Sequence, residues 1–233
     1  MKQLLFIFIV LTTMASCQRI TGSGNIVTEK RQTGDFKGVS AGGSFEVEVK
    51  TGTATEVVVE ADDNVMPYIK TEVNGDVLRI STKNNININN AHLKVFVTAP
   101  EITSLKSSGA SDIKIKDGIK SERKISLDVS GAGNISGGVD APEVYAEVSG
   151  AGGIQVSGRT RDYTARVSGS GNLKTSDLQT ENTDVDVSGA GNAWVHASVK
   201  LKADASGAGN IHFKGGAQIQ QHTSGAGSIT SQN

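Results

Sequence analysis

Ser130-Gly131-Ala132-Gly133-Asn134-Ile135, Ser149-Gly150-Ala151-Gly152-Gly153-Ile154 and Ser188-Gly189-Ala190-Gly191-Asn192-Ala193 are three copies of one block. Further copies begin at Ser108 (as Ser-Gly-Ala-Ser-Asp), Ser168, Ser206 and Ser224, with steps of 22, 19, 19, 20, 18 and 18 residues along the series. A recurrence this regular defines a repeat architecture before any other feature is weighed. Short alternating runs precede the blocks: Ile125-x-Leu127-x-Val129, Val144-x-Ala146-x-Val148, Tyr163-x-Ala165-x-Val167 and Leu201-x-Ala203-x-Ala205. The fifth position after each block serine is apolar every time, from Ile113 and Ile135 to Ile211 and Ile229. Apolar residues two apart mark strands with one buried face. The glycines between them mark corners that need positive φ or close backbone approach.

A unit of this size cannot bury its apolar face alone, so neighbours must stack. The pattern therefore predicts an all-β fold, a parallel β-helix or solenoid of about 18–22 residues per coil. The first half carries the same frame more faintly, with starts at Thr21, Ser40, Glu60 and Ser81. The step from 81 to 108 is longer and holds Pro100. Read as one series, these give about eleven coils of one continuous solenoid, roughly 50 Å long at one strand spacing per coil. Because the glycine blocks are sharp only after residue 108, a distinct N-terminal β part over 34–107 is a second reading. Polar residues at inward positions of Ile219-x-Gln221-x-Thr223 suit a capping coil, since an open apolar end invites edge association.

The N-terminus has another character. Met1-Lys2-Gln3 leads into the apolar run Leu4–Leu11 and then Met14-Ala15-Ser16-Cys17. A basic start, a short apolar run and small residues before a cut make a secretory signal. The run is too short for a stable membrane span. Met14-Ala15-Ser16-Cys17 resembles the bacterial lipobox, which implies cleavage before Cys17, lipidation of its thiol and anchoring by several acyl chains. The chain then divides into a leader (1–16), a lipidated segment with a first coil (17–33) and the solenoid (34–233). After Cys17 the sequence shows neither an acidic surface-export cluster nor an Asp in second place, so an outer-membrane lipoprotein of either leaflet is expected.

Cys17 is the sole cysteine, which rules out an internal disulfide. The net charge is −1, and loss of Lys2 with the leader takes it to −2, giving no electrostatic reason to expect nucleic acid.

The Ser-Gly-Ala-Gly-Asn-Ile blocks, the strand Phe45-Glu46-Val47-Glu48-Val49 and the segment Asp62-Asp63-Asn64 resemble the auto-transporter adhesin "head GIN domain" family over about residues 34–228. That resemblance implies a right-handed β-helix-like fold in an exported protein of a kind common in Bacteroidetes, with no catalytic residues to transfer. No translocator barrel accompanies the repeat in this chain.

Catalytic, cofactor and metal sites are all expected to be absent. The glycine blocks precede strands, whereas phosphate loops need a following helix N-terminus. Calcium-binding coils need an Asp after the glycines, but Asn134, Asn172, Asn192 and Asn210 stand there, which suits a ladder of stacked amides. His92, His196, His212 and His222 lack the close spacing of a zinc site.

Outward columns remain. The sixth position after each block serine holds Lys114, Ser136, Gln155, Lys174, Trp194, His212 and Thr230, so the only tryptophan should stand beside His212. Asp184, Asp186 and Asp204 fall in two other outward columns as an acidic patch, with Lys202 between them. These five residues, Trp194, His212, Asp184, Asp186 and Asp204, are the candidate ligand-contact positions. The functions that follow are a non-enzymatic envelope scaffold binding a polysaccharide or an envelope protein, a carbohydrate-active β-helix enzyme, or a structural lipoprotein that self-associates.

Overall fold

The computed structural model describes residues 18–232, so the leader and Cys17 lie outside the described part. The fold is a β-solenoid of stacked parallel coils, about seven turns, with no α-helix among the described residues. One wall stacks Ser104–Gly109, Ile125–Val129, the C-terminal parts of Asn134–Val148, Gly153–Val167 and Leu178–Val187, then Lys200–Gly207 and Gln218–Gly225. A second wall stacks Asp112–Ile115, the N-terminal parts of Asn134–Val148 and Gly153–Val167, then Asn172–Lys174, Asn192–His196, Asn210–Lys214 and Ile229–Ser231. Register is kept throughout: Leu105, Leu127, Ala146, Ala165, Val185 and Ala203 form one inward column, and Ile113, Ile135, Ile154, Leu173, Ala193 and Ile211 another. Every one of these side chains is buried. A single core cluster runs from Phe36 to Phe213.

The glycine blocks sit at the corner between the walls, and close approach is what they supply. The Ala151 and Gly152 amides both donate to the Gly131 carbonyl, at 2.9 and 3.0 Å. A Cβ on Gly150 would lie 2.1 Å from that same oxygen, and one on Gly152 would lie 1.9 Å from the Gly133 oxygen. Neither glycine has positive φ. The asparagine column runs alongside as expected: Nδ2 of Asn192 donates to Oδ1 of Asn172 at 3.2 Å, and Nδ2 of Asn210 to Oδ1 of Asn192 at 3.0 Å. Ser228 continues it upward through its hydroxyl, 2.8 Å from Asn210 Oδ1. At the lower end Asn134 Nδ2 donates to Asp112 at 2.8 Å, and Gly153 leaves a gap between the two runs.

The N-terminal third does not form successive coils, which corrects the continuous eleven-coil series. The coil made by Gly38–Gly43 and Glu46–Thr51 lies between two others. Below it are Val77–Thr82 and Leu93–Ala99, which come later in the chain; above it are Ser104–Gly109 and Asp112–Ile115. The chain descends through Glu56–Asp62 and Ile69–Asn74, both paired antiparallel, and closes the base with Ile26–Arg31, antiparallel to Glu56–Asp62. The long step near Pro100 is the return from bottom to top of this coil, fixed where the Thr103 amide donates to the Lys37 carbonyl at 2.7 Å. Residues 18–31 likewise form no coil of their own, because Gln18–Thr21 pairs only with Ile86–Asn89 in a separate two-stranded sheet. The physical reason is that alternation fixes a strand's buried face but not its direction. The segment from Glu56 to Asn74 carries no glycine corner to hold its strands in the parallel stack.

At the opposite end Gln218–Gly225 is exposed along its length, and Ile219 retains 49% of its surface. Gln221 and Thr223 stack over Ala203 and Ala205, so polar groups stand where the apolar columns end.

One inward residue is anomalous. Tyr163 is 2% exposed, and its hydroxyl has no hydrogen-bond partner among the described residues. Burial raises its pKa, with the nearby Thr175 hydroxyl opposing the shift. Thr175 directs its own proton to the Trp194 carbonyl, 2.9 Å away. An unpaired buried hydroxyl costs free energy that phenylalanine would not incur. Tyr163→Phe is therefore expected to leave stability unchanged or raise it by about 1 kcal/mol. Thermal unfolding would read this as a rise of about 2–4 °C, and a fall of similar size would show that the hydroxyl is bonded in solution.

Candidate functional site

The outward column of the second wall stands as its spacing predicts. Ser136, Gln155, Lys174, Trp194, His212 and Thr230 are register partners on successive coils. Trp194 is half-buried and stacks on the His212 ring, with centroids 5.2 Å apart and planes at 21°. His212 is held in turn by Thr230, whose Oγ1 lies 2.8 Å from Nδ1. The indole is thus a fixed plate, pinned from above.

Below that plate the wall opens into a recess of about 540 Å³. Its lining comprises Ser136, Gln155, Lys174 and Trp194 from the column, Gly137 and Val156 beside them, and Ser157, Ser176 and Asp177 from the next corner. Gly137 at its edge lets this coil sit close on the one below, for a Cβ there would lie 2.5 Å from Ile115. The volume falls within the range of small-molecule sites. One aromatic plate facing hydroxyls, an amide and a cation can hold a ligand that is apolar on one face and rich in hydroxyls at its rim. Sequence spacing had marked the column but not Ser157, Ser176 and Asp177. Ser157 and Ser176 stand two residues after Gln155 and Lys174, a repeat of serine that the same column reading could have caught.

Asp184, Asp186 and Asp204 project from the first wall, so the structure separates them from Trp194 and His212. Lys202 lies 3.5 Å from Asp184 and 3.2 Å from Asp204. The hydrogen bond to the Asp204 carboxylate is the main cause of a raised Lys202 pKa. The three aspartates thus belong to a half-exposed mixed-charge surface, worth little in stability. Among the described residues no group of three His, Cys, Asp or Glu side chains could hold a metal ion. The aromatic on that wall is already engaged: Tyr145 donates to Glu147 at 2.6 Å, and Lys124 Nζ sits 5.1 Å above its ring. Desolvation, then the bond to Glu147, raises the Tyr145 pKa.

Solved structures share this architecture. A "putative adhesin" from Bacteroides fragilis NCTC 9343 superposes with a TM-score of 0.87 at 21% identity, over 91% of this chain and all of its own. A "putative lipid binding protein" from Parabacteroides distasonis ATCC 8503 gives 0.79 at 25% identity, over 93% of this chain and all of its own. A "putative adhesin" from the same organism gives 0.76 at 23%, over 92% of this chain and all of its own. No functionally curated protein matches the chain. The family model described as "Putative auto-transporter adhesin, head GIN domain" matches residues 35–217, and the chain belongs to that family.

Proposed function

We propose that this protein is a non-enzymatic binding scaffold of the cell envelope, tethered by lipid at Cys17, that holds a polysaccharide against the Trp194 wall. The observation that carries this reading is the pinned Trp194 plate at the edge of a recess lined by hydroxyl, amide and amine groups. A pyranose ring presents a face of C–H groups to such a plate and hydroxyls to its rim. The adhesin descriptions of the family and of two solved neighbours support the adhesive role. No helix among the described residues is long and apolar enough to cross a membrane; the anchor in this reading is the lipobox Met14-Ala15-Ser16-Cys17. An enzymatic role finds no support in the recess, whose only carboxylate, Asp177, is 3.1 Å from Lys214 and has no second acid to work with.

A screen of the mature protein against envelope polysaccharides and glycans tests this reading. Trp194→Ala should weaken binding of any hit by about tenfold, the size of one lost aromatic stacking contact. Equal binding by both proteins would remove Trp194 from the site. Turnover of a polysaccharide would overturn the non-enzymatic reading.

A further inference from the structure

The recess has a charge that the fold does not use. Lys174 is exposed at its centre, one coil below Trp194. Other lysines of the second wall are paired: Lys114 reaches Glu46 at 2.9 Å and Lys214 reaches Asp177 at 3.1 Å. Lys174 has no carboxylate within ion-pairing distance among the described residues. Asp177 is the one acid in the lining and is ion-paired to Lys214 from outside it, so Lys174 is the one unpaired charge of the recess among the described residues.

Ser136, Gln155, Lys174 and Trp194 stand on four successive coils. At one strand spacing per coil they extend about 14 Å along the stack, room for more than one sugar ring. Aromatic plate and free ammonium occupy adjacent coils, so a chain lying along the column meets both at once.

We infer that the site selects an acidic polysaccharide, whose anionic group meets Lys174 Nζ while an adjacent ring lies on Trp194. The inference rests on the binding function proposed above and names the ligand class. A lysine ammonium donates to a carboxylate or a sulfate ester alike, because it acts as a point charge without a planar fork to match.

Calorimetric titration of the mature protein tests this with three probes of matched length: oligogalacturonate, sulfated dextran and neutral dextran. At least one anionic probe should bind at least tenfold more tightly than the neutral one, and rising salt should narrow that gap. Lys174→Gln should lower affinity for the anionic probe about tenfold, the weight of one charge-assisted hydrogen bond, and so narrow the gap between the anionic probe and neutral dextran by about that factor. Lys174→Arg should restore most of the loss. Lys174 is exposed and unpaired, so unchanged thermal unfolding in both variants would exclude misfolding. A neutral probe that binds as tightly as the anionic ones, through Trp194 but indifferent to Lys174→Gln, would overturn this inference alone. Failure of every probe and every envelope glycan would overturn the binding function along with it.

Discussion

Gly152→Ala is expected to destabilise the protein by about 3 kcal/mol or more, although it adds only one methyl group at a corner between the walls. The added Cβ would lie 1.9 Å from the Gly133 oxygen, and the atom it meets is backbone. A flexible side chain could swing aside; a carbonyl in the corner ladder cannot. Two amides, those of Ala151 and Gly152, already tie this coil to Gly131 below, so separating the coils to admit the methyl would stretch both bonds. Calorimetry should show a fall in the unfolding temperature of about 10 °C for a chain of this length. Gly216→Ala is the control: a Cβ there would meet nothing within 4 Å, and the residue's φ is not positive. Equal stability of the two variants would mean that the coils are more loosely stacked than the described geometry.

Asp62→Ala carries the second-largest expected cost, again about 3 kcal/mol, by a different route. The Asp62 side chain is buried, and its carboxylate accepts the Gly24 amide at 2.5 Å and the His92 amide at 2.7 Å. Alanine would strand two backbone donors in a part-buried site, and each unmet donor costs about 1–3 kcal/mol. Neighbours extend the clasp. Asp63 accepts from the Ser23 hydroxyl at 2.6 Å and from Asn25 Nδ2 at 2.8 Å, while Asn64 Nδ2 donates to the Thr21 carbonyl at 2.8 Å. This clasp holds the segment that follows Cys17 onto the base of the solenoid. Hydrogen exchange should therefore show residues 18–25 losing protection first in Asp62→Ala, with the coils beyond Ile125 unchanged. Asp62→Asn keeps one acceptor and should cost about half as much. Uniform loss of protection along the chain would refute a local clasp.

The two variants probe parts of the molecule that were legible to different degrees. After Ser104 the repeat gave the strands, their buried faces, the coil boundaries and the outward columns. Trp194 stacks on His212 because both occupy one position of the same period, and Asp186 lies under Asp204 for the same reason. Before Ser104 the same alternation was misleading. Val57-x-Val59 and Leu78-x-Ile80 read like two more coils, yet Glu56–Asp62 runs antiparallel to both its partners, and Val77–Thr82, parallel to Gly38–Gly43, is reached through the antiparallel strand Ile69–Asn74. One clue was present: Asn74-Gly75-Asp76 is a hairpin turn in composition, and Gly75 has φ +60°.

The amino-acid sequence by itself determined the period, which residues face inward and which positions stack, because these depend only on alternation and on glycines that let backbones touch. It also marked Cys17, whose lipid attachment remains part of the functional proposal. The tertiary structure alone decided the order of the lower coils, the Asp62 clasp and the recess beside Trp194. Each depends on segments distant in the chain meeting side by side. Asp177 meets Lys214 across 37 residues and Gly24 meets Asp62 across 38, contacts that no local pattern of residues encodes.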